Sequence, residues 1–262
     1  MKRTLIPEIR DTLPAFAKRL ADGATVYDSS CSPEARVYFL DRDGGFYLKR
    51  AGRGSLEREC TVTRYYHSIG LGTEVLEYAT LGEFDWLLTR AVRGEDCTHS
   101  SYLSEPERLA KLIGSSLRAL HELDASSCPV QNKMQEYVAL AEENYRTGNY
   151  DSSHFPDSFG YLSAEDAIAV LREGKHLFAS DTLLHGDYCL PNIMLDDWRL
   201  SGFIDLGAGG VGDRHVDLFW GAWTLGFNLG TDKYRDLFFD AYGRDKIDPD
   251  VLDVVAAAEV FG

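Results

Sequence analysis

Residues 183–207 read LLHGDYCLPNIMLDDWRLSGFIDLG, a stretch in which charged and amide side chains stand between apolar runs. Within it, Asp187 precedes Asn192 by five positions, and Asp205 follows 18 positions after Asp187. Two short strands, NIML and SGFID, joined by DDWRL, are predicted to bring the loop that contains Asp187 and Asn192 beside Asp205. An ordinary hairpin does not require these polar residues, and the pattern therefore indicates a catalytic site.

The spacing of these residues matches the kinase arrangement H-x-D-x-x-x-x-N followed by D-x-G, which combines a catalytic loop with a metal-binding Asp. Phosphoryl transfer requires a carboxylate at the attacking hydroxyl, oxygen ligands for Mg²⁺ and a cation at the nucleotide phosphates. Asp187 is predicted to be the catalytic base. Asn192 and Asp205 supply hard oxygen ligands, which suit Mg²⁺. His185 is expected to brace the loop through hydrogen bonds rather than to transfer protons.

A lysine in the amino-terminal part of the chain supplies the cation that this chemistry requires. Lys49 ends the strand-like run GFYLK, and a helix predicted over residues 55–70, with Ser55 as its cap, places Glu59 ten positions later. Kinases pair such a lysine with a glutamate on a helix. Glu57, half a turn away, is an alternative partner. This pair, together with the motif above, favours catalysis over a purely structural role for the acids.

The loop that would cover the nucleotide phosphates departs from the glycine-rich loop of protein kinases. Here the corresponding loop is DSSCSPEA, residues 28–35, which contains three serines and no glycine. Serine hydroxyls and backbone N–H groups also bind phosphate. Ser29 and Ser30 individually are interpreted as residues of an ordinary turn.

The remaining sequence is strand-rich before residue 92 and helical after it, which predicts the α+β fold class. An amphipathic helix is predicted over residues 1–20, and hairpins are predicted over residues 36–50 and 74–92. The segments with helical spacing are 104–124, 132–148, 163–177, 216–230, 232–243 and 248–261. We expect a nucleotide-binding lobe over residues 1–92 and a catalytic and acceptor-binding lobe over residues 93–262.

The composition is that of an acidic globular chain with no membrane partner. The 262 residues are 44% hydrophobic and 26% charged, and the formal net charge is −15. This charge disfavours a nucleic-acid partner and favours attraction of a cationic small molecule, although acidic chains also serve solubility alone. The five cysteines are scattered without a CxxC pair. Together with the absence of a signal peptide, this predicts reduced thiols, a cytoplasmic protein and no zinc site.

The motif and its surroundings resemble the aminoglycoside 3'-phosphotransferases, a kinase-like family of antibiotic-resistance enzymes. The resemblance covers nearly the whole chain, through the segments CSPEARVYFL, FYLKR, LEREC, LRALHELDASSCP, HGDYCLPNIML, GFIDLG and AEVFG. It implies a bilobal protein-kinase-like fold with a small β-rich lobe and a larger helical lobe. It also implies an enzyme that uses ATP (or GTP) and Mg²⁺ to phosphorylate a hydroxyl of an aminoglycoside, with the 3'-hydroxyl expected, and so confers resistance.

The resemblance also assigns residues to the nucleotide site. It makes Lys49 the phosphate ligand and Glu59 its partner, and it places Ser32 at the phosphates. The backbone from Arg90 to Val92 is implied to be the hinge that binds adenine. These assignments agree with the roles that the motif indicates for the base and the metal ligands.

The predicted acceptor side departs from the family where carboxylates or a basic residue are usual. The departures are Ala208 directly after D-x-G, Phe227 in the following helix, and Ala258 near the carboxy terminus. The candidates for acceptor binding are Asp157, Glu259 and Phe261. A polycationic drug requires carboxylate partners, each charged hydrogen bond contributing about 1.5–3 kcal/mol. An aromatic pocket wall of Trp223 and Phe227 is an alternative lining, whereas Trp220 fits a core position.

Because of these departures, three functions are considered. The first is an aminoglycoside phosphotransferase, which the acidic composition favours. The second is a kinase of the same fold that acts on a different, less cationic hydroxyl acceptor. The third is a catalytically silent nucleotide-binding module, which the intact motif and Lys49 disfavour. In each case we expect a monomer.

Overall fold

The computed structural model describes residues 3–6, 13–151 and 160–262, and packing divides the chain into two units. The first unit comprises Met1–Tyr102 and Leu190–Ala208, and the second comprises Leu103–Cys189 and Gly209–Gly262. This division differs from the expected boundary at residue 92, since the first unit continues to Tyr102 and includes the hairpin that follows the catalytic loop. Strands dominate the first unit and helices the second, so the fold class is α+β, as predicted.

The first unit is built on a six-stranded antiparallel sheet. Numbered along the chain, its strands are β1 (Thr4–Leu5), β2 (Thr25–Asp28), β3 (Ala35–Asp41), β4 (Phe46–Gly52), β5 (Val75–Leu81) and β6 (Phe84–Arg90). Their spatial order is β1-β2-β3-β4-β6-β5. Both predicted hairpins are confirmed, because β3 pairs with β4 and β5 pairs with β6.

Successive side chains along each strand lie on opposite faces of this sheet, and both faces are buried. One face contributes Leu40, Leu48 and Leu88 to a core that also contains Ala17 and Ala21 of helix α1 (Ala15–Ala21). The other face carries Lys49 and packs against helix α2 (Glu57–Ser68). The buried residues of this second layer are Ala51, Leu56, Cys60 and Leu87.

The amino-terminal helix is shorter than the sequence pattern predicts. Thr4–Leu5 form β1, which pairs antiparallel with β2, and the helix begins only at Ala15. The predicted residues 7–12 lie outside the described part of the chain. Ile6, Phe16 and Leu20 all pack against the same core. Their apolar spacing therefore predicted which residues are buried, but it did not require one continuous helix.

Helix α2 begins without the predicted serine cap. Leu56 occupies the N-cap position and makes no side-chain cap bond. The backbone N–H of Leu56 instead donates to the carboxylate of Asp85 at 3.1 Å. This carboxylate comes from β6 and is buried, so a long-range contact replaces the local one that Ser55 was predicted to make. The predicted end is confirmed, since Gly70 follows the helix with φ +77°.

A second, three-stranded antiparallel sheet ties the motif hairpin to the first unit. It consists of β7 (Glu95–Asp96), β9 (Ile193–Asp196) and β10 (Arg199–Phe203), in the order β10-β9-β7. Phe203 donates its backbone N–H to the carbonyl of Leu71 at 2.8 Å. Its ring packs edge-on against Tyr66 at 6.3 Å between centroids. These contacts explain why residues 190–208 belong to the first unit although most of the second unit precedes them.

The second unit is mainly helical. Its strands β8 (Thr182–Leu184) and β11 (Gly210–Gly212) form an antiparallel pair. After the short helix α3 (Ser100–Leu103), the helices are α4 (Pro106–His121), α5 (Lys133–Thr147), α6 (Ala164–Gly174), α7 (His215–Leu229), α8 (Arg235–Tyr242) and α9 (Pro249–Glu259). Each helix predicted after residue 103 is confirmed, with its ends moved by a few residues. None of the helices in the described ranges combines the length and apolar character that crossing a membrane requires.

Helices α4 and α8 approach closely at a glycine. A Cβ added to Gly114 would lie 2.4 Å from the carbonyl oxygen of Phe238, a distance that a methyl group cannot occupy. Backbone rather than a flexible side chain stands opposite, so one helix would have to move. Gly114 is therefore required by the packing of this helix pair.

Replacing Gly114 by Ala is expected to lower the free energy of unfolding by about 1–3 kcal/mol, the usual cost of overpacking a core. Urea unfolding followed by circular dichroism measures the change. Ser115→Ala is the matched control, because this exposed neighbour bonds only to the carbonyl of Leu112 in its own helix; its effect should stay within about 0.5 kcal/mol. Equal stability of the Gly114 variant and the wild type would contradict the close helix approach.

Candidate active site

A lysine bonded to two carboxylates forms the polar centre of the first unit. The ammonium of Lys49, on β4, donates to Glu59 Oε2 at 2.7 Å and to Asp205 Oδ1 at 2.8 Å. Glu59, rather than Glu57, is therefore its helix partner. The side chain of Glu59 is only 12% exposed whereas that of Asp205 is 52% exposed, so the contact with Glu59 is internal and Asp205 remains accessible to a ligand.

The charges of this cluster depend on each other. Burial alone would lower the pKa of Lys49, but the negative charges of Glu59 and Asp205 outweigh it and raise the pKa of the ammonium above its ordinary value. Burial raises the pKa of the Glu59 carboxyl, and Asp205 adds to this effect while Lys49 opposes it. The lysine therefore stays cationic at neutral pH, as a phosphate ligand must.

Asp205 and Asn192 are held near each other by the backbone. Ile204, the residue before Asp205, donates its N–H to the carbonyl of Asn192 at 3.1 Å. Asp205 itself has φ +58°, in the left-handed region that residues other than glycine seldom adopt. Strain of this kind is typical of functional positions, since only the surrounding structure keeps the residue there.

The oxygen atoms of these two residues fit the requirements of Mg²⁺. Mg²⁺ prefers hard oxygen ligands, retains several waters and commonly takes only one or two protein carboxylates. Asp205 offers a half-exposed carboxylate and Asn192 an amide oxygen. Within the described ranges, no group of three or more His, Cys, Asp or Glu residues is arranged to hold a metal, so a site here would rely on this mixed pair and on ligand or water oxygens.

A cavity of about 580 Å³ lies in the first unit beside the predicted hinge. The segment 90–96 lines it together with Phe39, Tyr47 and Met194. The Arg90 side chain forms an ion pair with Glu74 at 3.0 Å, and the backbone N–H groups of Arg90 and Ala91 donate to the carbonyls of Glu74 and Gly45. The residues predicted to contact adenine, Arg90 to Val92, thus border an opening of ligand size.

The loop between β2 and β3 is organised by its serines. Ser30 accepts the backbone N–H of Val37 at 2.9 Å and donates its own N–H to Asp28 at 2.8 Å. Ser29 donates its backbone N–H to the Val37 carbonyl at 2.8 Å, so both serines connect the two ends of the loop, and their interpretation as ordinary turn residues stays a prediction. Ser32 lies exposed in the same loop, and its predicted contact with phosphates stays a prediction.

In the second unit, a buried carboxylate fixes the catalytic loop. Asp217 of α7 accepts the backbone N–H groups of His185 and Gly186, each at 2.7 Å. It also lies 3.1 Å from Nε2 of His121 on α4. Asp217 is fully buried, and a buried carboxylate is tolerated only when hydrogen bonds satisfy it. The conformation of the residues just before Asp187 is therefore strongly specified.

His121 connects this carboxylate to the carboxy-terminal helices. Burial lowers the pKa of His121 below its ordinary value, although Asp217 opposes the effect, and the ring is neutral at pH 7. Because a carboxylate only accepts, Nε2 must carry the proton and donate to Asp217. Nδ1 then accepts from the hydroxyl of Tyr242 at 2.8 Å, so every polar atom of the ring has a partner.

Asp187 itself sits half-buried at the end of this braced loop. His185 Nδ1 accepts the backbone N–H of Asp187 at 3.3 Å, which agrees with the expected bracing role of this histidine. Gly186 has φ +85°, a conformation that a side chain would strain. Cys189 donates its N–H to the Asp187 carbonyl at 2.8 Å. The carboxylate is thus presented on a tight, multiply bonded turn.

The predicted acceptor residues near the carboxy terminus lie in buried surroundings. Glu259 Oε1 accepts from the Tyr137 hydroxyl at 2.7 Å and from Trp220 Nε1 at 3.1 Å. Burial raises the pKa of Glu259 to about 7, against the effect of these hydrogen bonds, and the negative charge of Asp187 contributes to the rise. Phe261 is fully buried, packed edge-on against Tyr145. Asp157 lies outside the described residues.

Sequence reasoning missed Asp217 and His121, which support the loop from other helices. Both lie in helices whose spacing was interpreted as apolar. A signal was nevertheless present, since Asp217 is an isolated acid in the run HVDLFWGAW. Such an acid in a buried helix face requires polar partners, as do the acids between the apolar runs of residues 183–207.

The family of the chain follows from its similarity to known proteins. Residues 32–255 match the model of the phosphotransferase enzyme family. A probable aminoglycoside 3'-phosphotransferase of Lactococcus lactis subsp. lactis (strain IL1403) is 45% identical over 262 residues, covering 99% of this chain and 100% of the relative. The chain belongs to the aminoglycoside 3'-phosphotransferase family. The predicted family and the predicted enzyme class, a phosphotransferase, are confirmed.

More distant relatives agree with this membership. An aminoglycoside 3'-phosphotransferase of Niallia circulans is 33% identical over 177 residues, covering 68% of this chain and 67% of the relative. The crystal structure of a type VIII aminoglycoside-3'-phosphotransferase has a TM-score of 0.75 at 24% identity, covering 92% of this chain and 94% of that one. A Streptomyces rimosus aminoglycoside phosphotransferase in complex with ADP and streptomycin has a TM-score of 0.72 at 24% identity, covering 86% and 90% of the two chains. These structural similarities confirm the kinase-like fold.

Replacing Glu259 by Gln is expected to remove a pH dependence of stability between about pH 4.5 and pH 7. Folding raises the pKa of this carboxyl from its ordinary 4.5 to about 7, so the folded state favours the protonated form. The stability that results is fully present below about pH 4.5 and is lost as the pH rises to about 7. The shift corresponds to roughly 3 kcal/mol, and Gln keeps an oxygen that accepts from Tyr137 and Trp220.

Urea unfolding of the wild type and the Gln variant across this pH range measures the effect as a difference between the two proteins. Glu77→Gln, at an exposed strand position, is the control and should follow the wild type throughout. A constant difference between wild type and Glu259→Gln from pH 4.5 to pH 8 would show that Glu259 does not titrate as a buried group.

Proposed function

We propose that the chain transfers the γ-phosphate of ATP (or GTP) to a hydroxyl of an aminoglycoside antibiotic, with the 3'-hydroxyl as the acceptor, and thereby confers resistance. The observation that supports this most directly is the bonding of Lys49 to both Glu59 and Asp205. Such a cluster combines a held cation with an accessible metal-binding carboxylate, which phosphoryl transfer requires. The names of the relatives supply the acceptor class.

On the nucleotide side, each candidate site residue of the first unit has a distinct role. Lys49 binds the phosphates, and Glu59 keeps its ammonium oriented and charged. Asn192 and Asp205 would hold Mg²⁺, which neutralises phosphate charge when bound. The backbone from Arg90 to Val92 contacts the base at the wall of the cavity, and Ser32 contacts the phosphates.

On the acceptor side, Asp187 orients the attacking hydroxyl and accepts its proton. The hydroxyl oxygen then bonds to the γ-phosphorus as the bond to the leaving ADP oxygen breaks. Asp217 and His185 restrain the loop through its backbone N–H groups, so the carboxylate does not have to be ordered when the acceptor binds. Preorganisation of this kind lowers the cost of reaching the reactive geometry.

The net charge of −15 agrees with a polycationic acceptor, since it attracts such a molecule over long range. A second candidate, a less cationic hydroxyl acceptor, is favoured by one observation. Ala258, where the family usually has an acid, is 2% exposed in a core cluster, so no carboxylate replaces the missing one there. Action as a monomer in the cytoplasm forms part of the first proposal.

The experiment that tests the proposal is ADP production by the purified protein with ATP and Mg²⁺. We expect kanamycin, neomycin and amikacin to stimulate ADP release and tobramycin, which lacks the 3'-hydroxyl, to leave it at the background rate. Stimulation by tobramycin would reject the 3' position. No stimulation by any of these drugs, with ATP binding confirmed by calorimetry, would favour the second candidate.

Asp187→Ala is expected to impair the chemical step, and Lys49→Ala is expected to impair the use of ATP. Without Asp187, kcat should fall about 10²- to 10⁴-fold, the usual contribution of a general base, while the Kd for ATP stays within about twofold. Without Lys49, the KM for ATP should rise. Asp181→Asn is the matched control, because this exposed acid bonds only to its neighbour Thr182. Near-wild-type kcat in Asp187→Ala would remove Asp187 from the mechanism.

A further inference from the structure

Helix α7 carries a row of aromatic side chains that the steps above do not use. Trp220, Trp223 and Phe227 follow at intervals of three and four, so they lie on one stripe of the helix. The rings of Trp220 and Trp223 meet edge to face at 5.4 Å between centroids. Those of Trp223 and Phe227 stack at 4.9 Å with only 12° between their planes. The row is thus a continuous, ordered aromatic surface.

The outer end of this row is exposed to an unusual degree. Phe227 is 71% exposed, compared with 42% for Phe84, the other strongly exposed phenylalanine of the described chain. Trp223 is also only partly buried. Trp220 is also partly buried but packs against a core cluster. Core packing does not explain the pair of Trp223 and Phe227, which is stacked with solvent on one side. Exposed apolar surfaces of this kind commonly mark binding sites.

The inner end of the row lies at the residues around the catalytic base. Trp220 donates to Glu259 at 3.1 Å, and the negative charge of Asp187 is close enough to raise the pKa of Glu259. Thr224, directly after Trp223, forms a side-chain hydrogen bond with Cys189, whose thiol also bonds to Asp187. An acceptor whose hydroxyl lies at Asp187 therefore has the aromatic row as a neighbouring wall.

Carboxylates stand at both ends of the row. Asp187 lies at the inner end, beside the buried Glu259, and Asp232 lies at the outer end, where a Cβ added to Gly226 would be 2.6 Å from its Oδ1. A flat apolar surface between negative groups is complementary to a ring that carries ammonium groups at its edge. The same charges disfavour a second copy of this acidic chain as the occupant.

We propose that Trp223 and Phe227 form an aromatic platform that binds one ring of the aminoglycoside acceptor and determines its affinity. This inference rests on the proposed function. The C–H face of the amino sugar packs on the two stacked rings, and its ammonium groups contact the ring faces and the flanking carboxylates. Phe227 stands where the family resemblance implies an acid, so the platform supplies part of the recognition that such an acid would provide.

Steady-state kinetics with kanamycin and ATP test the platform. Phe227→Ala and Trp223→Leu should each raise the KM for kanamycin about fivefold to twentyfold, the range expected for lost cation–π and stacking contacts. The kcat and the KM for ATP should stay within about twofold. Phe227→Tyr keeps the ring and should restore the KM to within about twofold of the wild type. Phe84→Ala removes an exposed ring of the first unit and should change nothing.

The outcomes separate the platform from the proposed function. Turnover of kanamycin by the wild type with an unaltered KM in Phe227→Ala overturns the platform alone. An equal rise in Phe84→Ala would also overturn it, since the effect would then not belong to α7. No turnover of any aminoglycoside by the wild type rejects the proposed function and the platform with it. If Trp223→Leu does not fold, the exposed position Phe227 decides the result.

Discussion

The buried carboxylate of Asp217 is the constraint on which the catalytic loop depends. It accepts two backbone N–H groups from the loop and the Nε2 proton of His121. A carboxylate without water is stable only while these donors remain in place. The loop therefore cannot relax without leaving a charge unsatisfied in the core. This energetic cost also restricts the position of Asp187, because Asp187 directly follows Gly186 and its backbone N–H donates to His185.

Local patterns in the sequence were sufficient to predict most of the elements and the contact between Lys49 and Glu59. Alternating strands gave both hairpins, and the ten-residue separation of Lys49 and Glu59 predicted an ion pair that forms at 2.7 Å. The features that were not predicted depend on contacts between residues that are distant in the sequence. The N-terminus of α2 is satisfied by Asp85 from another strand, and the loop is supported by Asp217 from a helix that reads as apolar. Neither partner is visible in a window of neighbouring residues.

The predicted acceptor residues at the end of α9 are already engaged within the second unit. Oε1 of Glu259 accepts from Tyr137 and Trp220, and burial raises the pKa of this carboxyl to about 7. Ala258 is packed in the core, so an acid there would lose its hydration. The aromatic row of α7 begins at this carboxylate, since Trp220 donates to Glu259, and it ends at the exposed ring of Phe227.

The first unit is assembled from two separate segments of the chain, and this has a consequence during synthesis. Lys49 and Asp205 bond across 156 positions, and β7 receives its partner β9 only when residue 196 has been made. A nascent chain that has emerged only as far as the catalytic loop has its lysine and its helix glutamate but no third member of the cluster. Until then the two-residue strand β7 lacks its partner β9, and its unpaired backbone groups are open to chaperones or to misassembly. The cluster becomes complete only when translation has reached Asp205.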